Sequence, residues 1–172
     1  KINQILNSII IGLAVGAQPI VGFNYGAENY KRVKQTLKYV ISISLIISTT
    51  ALLLFQLIPD KLIMIFGKEN DELYMTFAIM AFRTYLMMTI LNGVQIPSTI
   101  FFQAIGHSKK SILVSLSRQV LILIPAMIIF GQAFGIHGVL YSGPFADVVA
   151  FIVTVILLIF VIRDMDKKAK NL

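Results

Sequence analysis

Two charged residues inside apolar stretches are where this 172-residue chain could do chemistry. Asp147 is the only acid in the apolar run 138–162, and Arg118 is the only charge in the run 111–131. At a helical rise of ~1.5 Å per residue, Asp147 sits ~14 Å in from one end and Arg118 ~11 Å in from the opposite end. In a hydrocarbon layer ~30 Å thick the two arrive near the same depth. Charge at that depth is costly and usually marks a pathway for an ion or substrate. The pairing expected is an ion pair, or a polar network shared with Gln119. The alternative is a structural link between two helices with no part in coupling.

Side-chain amides are the second group. Asn3, Gln4, Asn7 and Gln18 fall in the first apolar run, and Asn92, Gln95 and Gln103 in the third. An amide turned to lipid loses its hydrogen bonds, so these should face protein or a water-filled cavity. Asn3 and Asn7 are four apart, Asn92 and Gln95 three apart, so each pair shares a helix face. Lining a cavity and bonding a neighbouring helix are both open to them. Tyr85, Met87, Met88 and Phe101 would suit an adaptable apolar binding surface, or plain helix packing.

Enzyme chemistry finds no support. No nucleotide-binding P-loop, nucleophile elbow or zinc-binding helix occurs. Cysteine is absent, which removes disulfides and thiolate metal sites. His107 and His137 fall at opposite ends of an apolar run, too far apart to share a metal. No cofactor is expected, and energy must come from an ion gradient or a partner chain.

These residues require membrane helices to position them. The chain is 57% hydrophobic and 13% charged, far more apolar than a water-soluble domain. Five runs meet the length of roughly 20 residues that a spanning helix needs: 3–23, 37–58, 84–105, 111–131 and 138–162. Segment 69–83, opening on Glu69, Asn70, Asp71 and Glu72, is expected as an interfacial helix leading into the third span, or as part of one long tilted helix. The net charge of +7 is confined to short clusters between the runs, without the interleaved aromatics of a nucleic-acid groove. It is a topology signal. With loop 24–36 in the cytoplasm, ten basic residues lie inside and four outside, the bias that the positive-inside rule expects. The C-terminus is then cytoplasmic.

Proline and glycine punctuate the spans. Pro19, Pro97, Pro125 and Pro144 each remove a backbone hydrogen bond. Asn92-Gly93 close to Pro97 makes the third span the candidate for a broken helix, the device by which transporters expose backbone at the midplane. Gly22 and Gly26 allow a sharp turn before the basic loop, Gly12-x-x-x-Gly16 offers a close helix approach, and Gly131-x-x-x-Gly135 suits a short external turn. The basic cluster around Arg32 would anchor at anionic headgroups, or else lock against another lobe.

The order of these features resembles the multidrug and toxic compound extrusion (MATE) family, in its bacterial branch. The matching stretches are Gly16-Ala-Gln-Pro-Ile, Asn24-Tyr25-Gly26-Ala with Arg32-Val, Phe102-Gln-Ala-Ile-Gly106, Ser117-Arg-Gln119 with Pro125, and Gly138-Val with Pro144-x-Ala-Asp147. The resemblance implies an all-α integral membrane fold of twelve spans in two six-helix lobes. This chain would be spans eight to twelve, most of the C-terminal lobe of a longer protein in the bacterial plasma membrane. It implies antiport, in which amphipathic or cationic compounds leave while sodium ions or protons enter, with spans eight and ten facing the cavity. Some members bind the cation through an acid in span ten. Here 84–105 contains no acid, which moves the expected cation site to the first lobe and leaves Asp147 as the remaining acid. A lipid-linked oligosaccharide flippase of the same superfamily is the alternative.

Overall fold

The computed structural model describes residues 2–66 and 72–170. Helix α1 (Ile2–Gly26) and helix α2 (Tyr30–Leu57) are followed by the short α3 (Pro59–Phe66) and α4 (Glu72–Tyr85). A 3-10 turn, Thr89–Leu91, leads into α5 (Asn92–Ala104). Helix α6 (Ser108–Leu116) continues through a π-helical segment, Ser117–Leu123, into α7 (Ile124–Lys170). Among the described residues there is no strand.

The apolar runs long enough to cross a membrane are Ile2–Gly26, Tyr30–Leu57, Met75–Ala104 and the 63-residue stretch Ser108–Lys170. The last contains two spans, because Gly135 adopts φ 59° and ψ −140° and turns the chain back on itself. That region of backbone space is open essentially to glycine alone. Only 22% to 28% of each apolar window is buried within the chain, so most of the apolar surface is left for lipid or for further protein.

Helix order along the bundle follows from three buried clusters. Leu6 and Ile10 of α1 meet Ala51 and Phe55 of α2 and Leu86 at one end. Ala14, Val40 and Ile100 meet in the middle. At the other end Val21 packs with Val33, Leu37, Phe102 and Met165. Helices α1 and α2 are therefore antiparallel, and α5 runs alongside α1. In lipid no hydrophobic force drives helices together, so close packing of small residues must do it. Ser44, Ser48 and Ser98 are wholly buried. A Cβ placed on Gly93 would lie 2.9 Å from Ser48 Oγ, 3.0 Å from the Ser44 carbonyl oxygen and 3.1 Å from Leu45 Cα.

Several local expectations are corrected. The 84–105 window is not one helix: the chain leaves helical form after Tyr85 and resumes α-helix at Asn92. Helix α4 belongs to the same apolar run as α5, and residues 69–71 of the expected interfacial helix lie outside the described residues. Gly22 and Gly26 do not make the first turn; both are helical, and Glu28, with φ 58°, takes the strained position. Gly22 instead lets α5 come close, with the Ala104 carbonyl oxygen 3.3 Å from where its Cβ would be. Gly12 and Gly16 have no heavy atom of the described residues within 4 Å of where a methyl group would stand.

The basic clusters share one end of the bundle. Lys34 of α2 pairs with Asp166 of α7, and Lys168 pairs with Asp164 one turn away at 3.0 Å. Burial first, then Lys110 and Lys168, hold the His107 imidazole below its ordinary pKa, against the opposing pull of Asp164. His107 is thus neutral near pH 7 and adds no charge there.

Candidate functional site

Helix periodicity places a polar stripe on α5. Asn92, Gln95, Thr99 and Gln103 recur at intervals of three or four and all line one cleft of about 480 Å³. Asn7, Ile11 and Val15 of α1, also four apart, form a second wall, and Ser115, Arg118 and Gln119 a third. The volume is that of a small-molecule site.

Arg118 is carried by the π-helical segment, and Pro125 explains why that segment is there. Proline cannot donate to the carbonyl four residues back. The backbone widens ahead of it, and the Ile124 N–H reaches the Gln119 carbonyl, five residues back. Such π turns are frequent at functional sites. Arg118 Nε donates to Asp147 Oδ1 at 2.7 Å, and Nη2 lies 2.6 Å from the same oxygen. The Asp147 side chain is 7% exposed against 30% for Arg118. Gln95 Nε2 donates to the Asp147 backbone carbonyl at 2.7 Å, so α5, the π segment and α7 are tied at one point. Lone polar groups at such depth would each cost several kcal/mol, on the order of an unmade hydrogen bond in hydrocarbon.

The expected pair between Arg118 and Asp147 is present, while Gln119 takes no part in it. Gln119 lines the cleft and is exposed. Asn92 Nδ2 reaches Asn7 Oδ1 at 3.5 Å across the cleft. Asn3 stays out of the cleft, and its Oδ1 is buried without a partner among the described residues. Gln18 lies apart too, beside Pro97 in a narrow recess between α1, α2 and α5. Tyr85, Met87, Met88 and Phe101 do not line the cleft; Phe101 is buried in the core, and the Tyr85 ring covers Gly143.

Among the motif positions, Gly16, Pro19 and Gly26 are exposed, and Pro97 and Pro144 are buried inside their helices. Asn24 is buried and donates through Nδ2 to the Ile20 carbonyl at 2.8 Å, while Tyr25 packs edge-on against Tyr30. The Arg32 side chain is exposed, and its backbone N–H is accepted by the capping Asn29. Sequence reasoning missed Thr99 and Ser111, whose Oγ accepts from Gln103 Nε2 at 2.8 Å. Extending the Asn92–Gln95 face by two more turns finds Thr99 and Gln103; no sequence signal marks the bond to Ser111.

Known proteins share this arrangement of helices. The family model MatE matches residues 1–129. The multidrug export protein MepA of Staphylococcus saprophyticus is 24% identical over 164 residues, 95% of this chain. MepA of Staphylococcus aureus strain MSSA476 is 27% identical over 165 residues. The chain spans about 35% of the length of each. A solved structure of the MATE multidrug transporter DinF-BH, in complex with a ligand, superimposes with a TM-score of 0.85 at 34% identity, covering 91% of this chain and 35% of that one. An inward-facing MATE family transporter shares the fold with a TM-score of 0.88 at 22% identity, over 96% of this chain and 38% of its own. With its apolar spanning helices and this match over three quarters of its length, the chain belongs to the MatE family of multi-pass membrane transporters, which are not enzymes.

Proposed function

We propose that the chain works as most of the C-terminal lobe of a secondary active multidrug efflux transporter. The lobe encloses one side of a central cavity in the bacterial plasma membrane. Amphipathic or cationic compounds leave through it in exchange for sodium ions or protons. The observation that carries this reading is the cleft itself. Amides on α1 and α5 and an arginine on the π segment face one concavity of the bundle. Polar side chains at membrane depth are kept where they face a pathway. Among the described residues no acid lines the cleft, which favours a coupling-ion site in the first lobe. A single arginine in the lining also favours efflux over transport of an anionic lipid-linked sugar, which would call for several.

The test is uptake of a fluorescent organic cation into inverted vesicles holding the full-length polypeptide, with sodium and proton gradients imposed separately. Uptake under one gradient, abolished by the matching ionophore, is expected. Absence of uptake under both, with the protein folded and inserted, overturns the reading.

A further inference from the structure

The charge pattern of the cleft narrows what it can hold. Among the described residues Arg118 is the one charged side chain in its lining. Asp147, which balances that charge, lies behind the guanidinium and outside the lining. The pair is a dipole with its positive end toward the cleft. A cationic group placed against this wall meets the arginine first, and in a low-dielectric site that repulsion is poorly screened.

Geometry leaves the guanidinium capacity to spare. Nε and Nη2 both converge on Asp147 Oδ1, and among the described residues no side chain besides Asp147 bonds the guanidinium. Five N–H donors in a rigid fork can serve two carboxylates at once. Across the cleft, Ile11, Val15, Ile96 and Ile100 supply apolar walls for a ring system.

We propose that this cleft takes the carboxylate of a zwitterionic amphiphile, that Arg118 is the residue binding it, and that the cationic end of the same molecule points away toward the opposite lobe. The inference rests on the efflux reading above and specifies the substrate class for this half of the cavity.

A matched pair of probes tests it: a rhodamine free carboxylic acid and its methyl ester, which differ by the one group Arg118 would read. Binding of each to the full-length protein in lipid nanodiscs is followed by fluorescence polarisation. Arg118→Gln should weaken the acid about tenfold more than the ester, the scale of one charge-assisted hydrogen bond. Because that variant strands Asp147, the double variant Arg118→Gln with Asp147→Asn repeats the comparison without a lone buried charge, and the same excess loss for the acid is expected. Arg118→Lys, which keeps the charge and loses the fork, should fall between. Equal losses for acid and ester in the double variant overturn the inference and leave efflux standing. Binding of neither probe by the folded wild type overturns the efflux reading and this one with it.

Discussion

Arg118 and Asp147 have unequal shares in their ion pair. Asp147 has almost no access to water, whereas Arg118 opens onto the cleft. Deleting the arginine leaves a carboxylate with no counter-charge, at a cost on the order of 3–5 kcal/mol for an unpaired buried ion. Deleting the acid leaves a guanidinium that can hydrate toward the cleft, at a cost of ~1 kcal/mol, as for a partly exposed pair. Thermal unfolding of the full-length protein in detergent should therefore fall much further for Arg118→Met than for Asp147→Asn. The double variant should recover most of the difference. Equal losses from the two single changes would show that Asp147 reaches water by another route. The pair was legible from the sequence because depth can be counted from both ends of two opposed spans. That Gln95, and not Gln119, completes it depends on the rotation of α5 and the π segment, which no count along the chain supplies.

At the scale of the element, the third span shows what local signals can and cannot give. Asn92, Gly93 and Pro97 point to a break in this span, and a break occurs, but upstream between Tyr85 and Asn92. The residues 86–91 include no proline or glycine. Leu86 and Thr89 are buried within it, so the turn is packed into the bundle with no local breaker residue to mark it. Gly93 serves instead as the contact through which α5 rests on α2. Alanine there gains ~1 kcal/mol of helix propensity and loses ~1–3 kcal/mol to overpacking. Because two of its three nearest neighbours are backbone atoms, they cannot swing aside, and the loss prevails. Gly93→Ala should lower the unfolding temperature in detergent. Gly12→Ala, at a position with no heavy atom within 4 Å, should leave it unchanged or slightly raised. Equal behaviour of the two variants would mean α2 and α5 are further apart than described.

For the whole molecule, the placement of the basic residues carries an expectation about orientation. Ten of the fifteen basic residues fall in the 24–38, 109–110 and 163–170 segments. The fold gathers those segments at one end, through the bond between Lys34 and Asp166 and the field of Lys110 and Lys168 on His107. Sequence order alone could have scattered them; the antiparallel packing of α1 and α2 and the reversal at Gly135 do not. We propose that this end faces the cytoplasm, where positive residues are retained during insertion. This chain has no cysteine, so single introduced thiols report position without background from it. Glu28→Cys and Lys170→Cys occupy the basic end, and exposed His137→Cys sits just past the Gly135 reversal. In intact cells a membrane-impermeant maleimide should label His137→Cys and spare the other two, which should react once the membrane is permeabilised. The reverse pattern would place the basic end outside and require the cleft to load from the opposite side. Labelling of all three in intact cells would break the five-crossing topology, since it would put both ends of the last span on one side.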